Sequence, residues 1–322
     1  MTTLITGCAG FVGLALAEDL LSSGNDVIGF DLSAPPDRAL KTFSSLPGKF
    51  DFVIGDIRDR AALDHAFVGR DVDAMVSLAA ITADAARERS QPHVVYEVNA
   101  ASVFSAVETA ARHKVCRIVH LSSGAVYGRS GYGTTSLDEA TTIPDPEGLY
   151  GMSKLAAEQG LARLMQVYGV DLVIGRLGTC YGPWEHDTGA RDTLSAPLQI
   201  LQIAQRGGVA TISRDSLRDW LYVRDAAAGI RALMFCAGLP RTIYNVAAGF
   251  EFPLSAWCTR LEGMFPGFRW HVNSDDTPTN VNLYGPQDRA SMNIMALLND
   301  TDFRPKFDIN AAFDDYMSWI KQ

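Results

Sequence analysis

The sequence has few of the features that mark metal, membrane or disulfide-bonded proteins. Its five cysteines are scattered without a CxxC pair, and its six histidines show no HExxH or other paired spacing. Neither a metal centre nor a disulfide framework is therefore predicted. No uninterrupted apolar run reaches the length of a transmembrane helix, and the N-terminus lacks the basic segment of a signal peptide. We expect a cytoplasmic protein with reduced thiols.

Positive charge is also scarce. The 322 residues include 28 Lys and Arg against 37 Asp and Glu, which gives a formal net charge of −9, and no basic run occurs. Because binding to nucleic acid or to an acidic membrane requires a basic patch, neither partner is expected. Apolar residues make up 47% of the chain, enough for a substantial core in one large domain or two.

Short apolar runs alternate with longer helical patterns through the first half of the chain. Strands are predicted over residues 4–6, 26–31, 52–54, 74–78, 116–121 and 170–174, and helices over 11–21, 92–111 and 149–168. This order predicts an α/β fold with a Rossmann-type doubly wound parallel sheet. After Gly182 and Pro183 the segments shorten and Pro and Gly recur, which favours a smaller C-terminal α/β domain over the carboxyl ends of the strands.

Three glycines come directly after the first predicted strand. Gly7, Gly10 and Gly13 form a GxxGxxG run where the first helix begins. Glycine permits a tight turn there and lets backbone N–H groups approach a pyrophosphate, which the helix N-terminus also attracts. A plain tight turn would show the same glycines, so residues further along the chain must distinguish the two interpretations.

Acidic residues end the next two predicted strands. Asp31 stands eighteen residues after Gly13, where a carboxylate accepts hydrogen bonds from both ribose hydroxyls and repels a 2′-phosphate. A carboxylate at this position favours binding of NAD over NADP. The alternative is that Asp31 is an ordinary acidic residue in a turn. Asp56 and Ile57 stand where an adenine edge is held, and the alternative for Asp56 is a cap for the segment 59–67.

A tyrosine and a lysine share one face of the predicted helix over 149–168. Tyr150 and Lys154 are four residues apart, so a lysine ammonium, like an oxidised nicotinamide, lowers the phenol pKa. The phenol then exchanges a proton with a substrate alcohol near neutral pH. Ser122 and Ser123 end the fifth strand, where a hydroxyl orients that alcohol. Each pattern alone is common, but their order after the glycine run favours a catalytic set.

With these residues the sequence resembles the extended short-chain dehydrogenase/reductase family, and within it the NAD-dependent nucleotide-sugar epimerases and dehydratases, such as the UDP-sugar 4-epimerases. The resemblance runs from residue 6 to about residue 249 and more weakly beyond. It rests on residues 6–13, 31, 55–59, 78–80, 98–99, 122–123, 126–128, 150–154, 176, 181–183, 218–219 and 244–246.

The resemblance implies roles for individual residues. Ser123, Tyr150 and Lys154 are implied as catalytic, with Tyr150 as the acid/base and Lys154 as the residue that tunes it. NAD is implied as the cofactor, with these binding residues: Gly7, Gly10, Phe11, Val12, Gly13, Asp31, Asp56, Ile57, Leu78, Ala79, Ala80, Asn99, Ser122, Tyr150 and Lys154. The implied substrate-binding residues are Ser122, Ser123, Tyr150, Thr179, Arg191 and Arg218.

Arg218 is implied to meet a substrate diphosphate, because a guanidinium fork suits phosphate oxygens. The alternative for Arg218 is a salt bridge to Asp219 or Asp215. Asn99 is implied to brace the active site from the helix over 92–111.

Two departures bear on the reaction. The 4,6-dehydratases of the family carry Asp-Glu directly after the catalytic hydroxyl, whereas this chain has Gly124 and Ala125, so dehydration is not expected. Thr179 stands where many 4-epimerases have Asn and is similar to the uronate-type epimerases. Together with the serine hydroxyls and a cation such as Arg191, it would hold a sugar carboxylate, and the alternative is that it packs near the cofactor.

The sequence therefore predicts an NAD-dependent nucleotide-sugar 4-epimerase that acts on a UDP-sugar or UDP-uronate. One alternative is an NAD-dependent dehydrogenase of a free sugar acid or hydroxy acid. A second is a non-catalytic NAD(P)-sensing regulator, a class that usually lacks the Tyr–Lys pair.

The predicted domains are a dinucleotide-binding domain over 1–180, to which 209–248 partly returns, and a mainly substrate-binding domain over 181–322. The helices over 92–111 and 149–168 carry apolar residues on more than one face. A homodimer through these helices is predicted. The alternative is that the C-terminal part of the same chain covers them.

Overall fold

The computed structural model describes residues 1–190, 193–273, 278–285 and 287–322. Within these ranges the strands are β1 Thr2–Thr6, β2 Asp26–Asp31, β3 Phe50–Ile54, β4 Ala74–Ser77, β5 Arg117–Ser123, β6 Leu172–Leu177, β7 Cys180–Tyr181, β8 Val209–Ile212, β9 Leu217–Arg218, β10 Leu221–Tyr222, β11 Ile243–Val246, β12 Phe252–Pro253 and β13 Arg269–Val272. The helices are α1 Phe11–Ser22, α2 Asp37–Phe43, α3 Arg60–His65, α4 Ala85–Ser90, α5 Pro92–Tyr96, α6 Ser102–Arg112, α7 Leu149–Tyr168, α8 Ala196–Gln205, α9 Val223–Phe235, α10 Leu254–Met264, α11 Met295–Asp300 and α12 Ile309–Ile320.

Seven strands form one parallel sheet in the order β11-β6-β5-β4-β1-β2-β3. The order reverses between β1 and β4, which is the switch point of a doubly wound sheet. The predicted fold class is therefore confirmed, and the six strands predicted from the first half of the chain all occur in the sheet.

Alternating side chains place the two helical layers on opposite faces of the sheet. Ile5 and Val119 face a core shared with α1, α2 and α9, whereas Leu4 and Ile118 face a core shared with α3, α6 and α7. This alternation follows from the two-residue period of a strand, and both faces are apolar because both are covered.

The chain after β7 divides between the sheet and a separate core. Helix α9 packs against α1, and β11 pairs with β6 at the edge of the sheet. Another core forms among α8, α10 and α12, where the rings of Trp257 and Phe313 meet edge to face with centroids 5.3 Å apart. The domain boundaries at 180 and 181 remain a prediction.

The helix predicted over 92–111 is divided into three segments. Helix α5 passes into a π-helical turn over Glu97–Ala101 before α6 begins. Asn99 lies in this turn and is fully buried. Its amide exchanges two 2.9 Å hydrogen bonds with the backbone of Ile81 and donates a third, of 3.0 Å, to Ser153 Oγ. Since π turns often mark functional sites, this one draws attention to Asn99.

Two findings bear on the cellular setting. None of the helices in the described ranges is long and apolar enough to cross a membrane. The five cysteines are free thiols.

Helices α6 and α7 pack so closely that one position excludes a side chain. A Cβ on Gly160 of α7 would lie 2.3 Å from Cζ of Phe104 on α6. We expect Gly160→Ala to destabilise the protein by about 1 kcal/mol, because overpacking outweighs the better helix propensity of alanine.

Gly263→Ala is the matched control for this substitution. Gly263 also lies in a helix, α10, but a Cβ there would meet nothing within 4 Å. This variant should therefore unfold at a slightly higher temperature than the parent. Equal thermal shifts for the two variants, measured by calorimetry, would contradict the close α6–α7 contact.

Candidate active site

A cleft of about 910 Å³ runs along the carboxyl ends of the central strands. Ligands bind at this edge of doubly wound sheets. Of the residues predicted for the site, the cleft is lined by Gly7, Gly10, Phe11, Val12, Gly13, Asp31, Asp56, Ile57, Leu78, Ala79, Ala80, Ser122, Ser123, Tyr150, Lys154, Thr179 and Arg218. Arg191 lies outside the described residues, and Asn99 lies behind the wall of the cleft.

The glycine turn is built by backbone packed directly on backbone. Gly7 has a φ of +72°, and a Cβ there would lie 2.7 Å from the amide nitrogen of Ala79. A Cβ on Gly13 would lie 2.4 Å from the carbonyl oxygen of Gly7. Gly10 is the N-cap of α1, and among the described residues no side-chain hydrogen bond caps this helix N-terminus. This cradle fits the pyrophosphate of a dinucleotide.

The carboxylate of Asp31 is held beside this turn. It accepts hydrogen bonds from the backbone N–H of Ala9 at 2.9 Å and of Leu32 at 2.7 Å. Burial raises the pKa of Asp31, and these hydrogen bonds oppose the rise. The acid is therefore fixed on the wall of the cleft next to the glycine turn, as a residue that selects between NAD and NADP must be.

Asp56 lies on the wall of the cleft but does not cap the next helix. Its side chain pairs with Arg58 at 2.6 Å, and the hydrogen bond from Arg58 lowers the pKa of Asp56. Asp59 caps α3 instead, accepting from the N–H groups of Ala61 and Ala62. The alternative interpretation of Asp56 as a helix cap is therefore wrong.

The three residues predicted to be catalytic line the same cleft. Tyr150 and Lys154 lie in the first turns of α7, and Ser123 lies at the end of β5. Lys154 is 2% exposed, and its Nζ donates a 2.8 Å hydrogen bond to the carbonyl oxygen of Leu121. Burial lowers the pKa of Lys154 to about 8, and the charge of Glu158 opposes that shift.

Ser122 faces the helix rather than a ligand. Its hydroxyl donates to Glu158, which forms a 2.7 Å ion pair with Arg176; both charged side chains are 3% exposed. Arg176 in turn lies over the ring of Tyr127, 4.8 Å from its centroid. The prediction that the Ser122 side chain binds cofactor or substrate therefore finds no support, because its hydroxyl belongs to this buried network.

Asn99 supports the site from behind. Its three hydrogen bonds join the segment at Ile81, which lines the cleft, to Ser153 of α7. The expectation that it braces the site fits this geometry. A direct contact between Asn99 and the cofactor does not fit this geometry, because the side-chain amide is fully buried and is hydrogen-bonded to other groups of the protein.

Arg218 is a partly neutralised cation in the cleft wall. Its Nε donates to Asp288 Oδ1 at 2.8 Å, and its Nη2 donates to the carbonyl oxygen of Leu283 at 3.0 Å. The partners named as the alternative, Asp219 and Asp215, were therefore the wrong residues, although a salt bridge does form. Burial lowers the pKa of Arg218.

Glu158, behind the cleft, and Arg289, in its wall, are among the charged residues that the sequence analysis did not predict. Glu158 carries a detectable signal, since it lies four residues after Lys154 on the same face of a helix. Arg289 carries none, because it enters the cleft from the C-terminal part of the chain, 166 residues after Ser123.

This fold and cleft define an enzyme of the extended short-chain dehydrogenase/reductase type. The model of the NAD dependent epimerase/dehydratase family matches residues 3–247, and the chain belongs to that family. The predicted family, enzyme class and NAD cofactor are thereby confirmed.

Individual relatives bear names of two different reactions. A probable dTDP-glucose 4,6-dehydratase of Sinorhizobium fredii is 30% identical over 78% of this chain and 72% of its own length. A putative UDP-glucose 4-epimerase of Methanocaldococcus jannaschii is 24% identical over 99% of this chain and 98% of its own length.

Solved structures show the same fold. The UDP-glucose 4-epimerase of Thermus thermophilus, in complex with NAD, superposes with a TM-score of 0.79 at 24% identity and covers 100% of this chain and 99% of its own.

We expect the protein to bind NAD at least about tenfold more tightly than NADP, a difference of about 1.4 kcal/mol, because Asp31 repels the 2′-phosphate. Asp31→Asn should narrow this difference, since it removes the charge while its amide oxygen still accepts from Ala9 N–H. Equilibrium binding of both cofactors to both proteins measures it. Tighter binding of NADP by the parent protein would overturn the assignment of Asp31.

Proposed function

We propose that the protein is an NAD-dependent nucleotide-sugar 4-epimerase. The observation that carries this proposal is that Ser123, Tyr150 and Lys154 line one cleft together with Gly124, which stands at the position of the dehydratase acid. With NAD as the hydride acceptor, a hydroxyl, a phenol and an ammonium are the protein groups needed to oxidise and re-reduce a carbinol. Elimination of water needs further acid and base groups.

NAD, when bound, supplies the reversible hydride acceptor for the carbinol carbon. The chain's own residues handle the proton. Tyr150 Oη takes the proton of the sugar hydroxyl, and the Lys154 ammonium stabilises the phenolate through its charge. The Ser123 hydroxyl orients the reacting oxygen. After the sugar presents its other face, Tyr150 Oη returns the proton, and the alcohol is regenerated with inverted configuration.

The surroundings of Gly124 argue against dehydration, although several relatives are named dehydratases. A Cβ on Gly124 would lie 2.8 Å from Sδ of Met292 and 3.1 Å from Cζ of Arg289. A side chain at this position would therefore require the ends of Met292 and Arg289 to shift. Position 124 thus lacks the acid of the dehydratases, and the Arg289 guanidinium packs where that acid would stand.

The substrate end of the cleft is formed by the C-terminal part of the chain. Thr193, Tyr284 and Gln287 complete its wall beside Arg218. We assign Arg218 to the diphosphate of the substrate and the region 181–322 mainly to substrate binding. Thr179 lines the same cleft, and we assign it to the sugar.

A panel of UDP-glucose, UDP-glucuronate, free uronates and hydroxy acids tests the proposal, with product followed by NMR and NADH by absorbance. The expected result is a 4-epimer without net NADH. NADH formed in step with product would instead show the dehydrogenase, and NAD binding without any reaction would show the regulator.

Tyr150→Phe should lower turnover by about a hundred- to ten-thousand-fold, the range typical of general acid–base catalysis. Binding of NAD should change little, because the variant loses one hydroxyl. Retention of most of the turnover, measured at saturating substrate, would exclude Tyr150 as the proton carrier.

The pKa of the buried Lys154 predicts the pH above which activity falls. The pKa of Lys154 is lowered to about 8 by burial, so its charge is present below that pH and is lost above it. Turnover should therefore fall as the pH rises through about 8. Lys154→Arg should move this fall to higher pH because a guanidinium keeps its charge. An unchanged pH profile would contradict the role of Lys154.

We also propose the homodimer through residues 92–111 and 149–168. Val103 is 1% exposed and belongs to the core of this chain, so a charge there tests folding rather than assembly. The faces of these helices still expose Tyr96 at 38% and Met152 at 39%. These apolar side chains offer a surface to a second copy.

Tyr96→Asp and Met152→Asp should therefore convert a dimer into a monomer near 34.9 kDa, as measured by light scattering at micromolar concentration. Ile143→Asp is the control, because Ile143 is 79% exposed and lies outside these helices. A monomeric parent protein would contradict the dimer, and so would a dimer that survives both charged substitutions.

A further inference from the structure

Arg289 lies against the turn that comes directly after the catalytic serine. Its Cζ and Nη1 would each be 3.1 Å from a Cβ on Gly124, and its own Cβ would be 2.9 Å from one on Gly131. Two glycines thus make room for this side chain, which is 14% exposed and lines the cleft. The guanidinium is packed beside the place where the Ser123 hydroxyl is to hold the reacting carbinol.

The protein leaves part of the hydrogen-bonding capacity of the Arg289 guanidinium unused. Its Nη2 lies 3.6 Å from Asp219 Oδ1, beyond hydrogen-bond distance, and its buried Nη1 has no hydrogen-bond partner among the described residues. Buried donors are normally paired, and a buried cation needs a nearby anion. The structure therefore leaves capacity at Arg289 for an anionic acceptor.

Neighbouring acids are already engaged. Asp288 accepts from Arg214, Arg218 and Ser216, and Asp219 Oδ2 accepts from the backbone N–H of Met292. Arg214, Arg218 and Arg289 thus share these two carboxylates. Burial, together with the nearby charge of Glu251, raises the pKa of Asp219. Among the described residues Arg289 forms a hydrogen bond with none of these acids, so its guanidinium can still donate to a ligand anion.

We propose that Arg289 is a specificity-determining residue that binds a carboxylate on the sugar, so that the substrate class is a nucleotide-linked sugar acid. This inference rests on the proposed 4-epimerase function. In a hexuronate the carboxylate is attached to C5, the neighbour of the reacting C4, so the two groups lie side by side. Ser123 directly precedes Gly124, and the Arg289 guanidinium packs against Gly124, so both groups line the cleft next to this residue.

A carboxylate fits this position better than the substrate diphosphate does. Arg218, in the same wall, is the residue assigned above to the diphosphate, whereas Arg289 packs against the turn immediately after Ser123. A planar guanidinium also matches a carboxylate in bidentate geometry.

The test compares kcat/KM for UDP-glucuronate and UDP-glucose in the parent protein, Arg289→Gln and Arg289→Lys. The parent should prefer the uronate at least about tenfold. Arg289→Gln should reduce this preference at least about tenfold, mainly through KM for the uronate, and Arg289→Lys should restore part of it. Free glucuronate, run alongside, shows whether the nucleotide is needed for the same carboxylate to bind.

A parent protein that prefers UDP-glucose would overturn the inference. So would an Arg289→Gln variant that loses activity toward both sugars equally, since that result indicates a diphosphate contact or a structural role. NAD binding shows whether Arg289→Gln folds. If it does not fold, the preference of the parent protein for UDP-glucuronate over UDP-glucose and the preference of Arg289→Lys decide whether the inference holds.

Failure of the proposed function looks different from failure of this inference. If neither sugar is epimerised, the 4-epimerase proposal fails. Calorimetric binding of the two nucleotides to the Tyr150→Phe variant then tests the inference by itself, because tighter binding of UDP-glucuronate supports it and equal or weaker binding contradicts it.

Discussion

The buried ion pair between Glu158 and Arg176 is the interaction on which the site depends. It joins α7, which carries Tyr150 and Lys154, to β6 of the sheet, and Ser122 of β5 donates to the same carboxylate. Removal of one partner from such a buried pair typically costs about 3–5 kcal/mol, because it leaves an uncompensated charge. The pair thus fixes the height and rotation of the catalytic helix above the sheet edge.

The same network supplies part of the electrostatics. The Glu158 carboxylate opposes the loss of charge that burial imposes on Lys154. Arg176 holds Tyr127, whose hydroxyl donates to Asn245 of β11 at 2.8 Å. Contacts therefore run from the catalytic lysine to the edge strand of the sheet. A rigid base of this kind lets small residues that line the cleft, such as the buried Gly124, decide which ligand fits above it.

The sequence predicted those features that depend on residues close together along the chain. The sheet strands, the glycine turn, Asp31 and the Tyr150–Lys154 pair all carry local patterns, and each lies where the pattern placed it. Contacts between distant segments carry no such pattern. Asp288 reaches Arg218 from 70 residues away, and Arg289 covers Gly124 because the chain returns across the cleft. The role of Asn99 could be predicted only in part. The sequence pattern identified the residue, but the orientation of its side chain depends on a π-helical turn, which the periodicity of the sequence does not predict.

The central claim is that the carbinol is oxidised and reduced within one catalytic cycle. A nucleotide sugar acid or nucleotide sugar deuterated at C4 tests it directly, with the products followed by NMR. The account predicts a 4-epimer that keeps its deuterium at C4, with no accumulation of reduced cofactor. Loss of the deuterium from C4 to a released, reduced cofactor, or a dehydrated product, would contradict it.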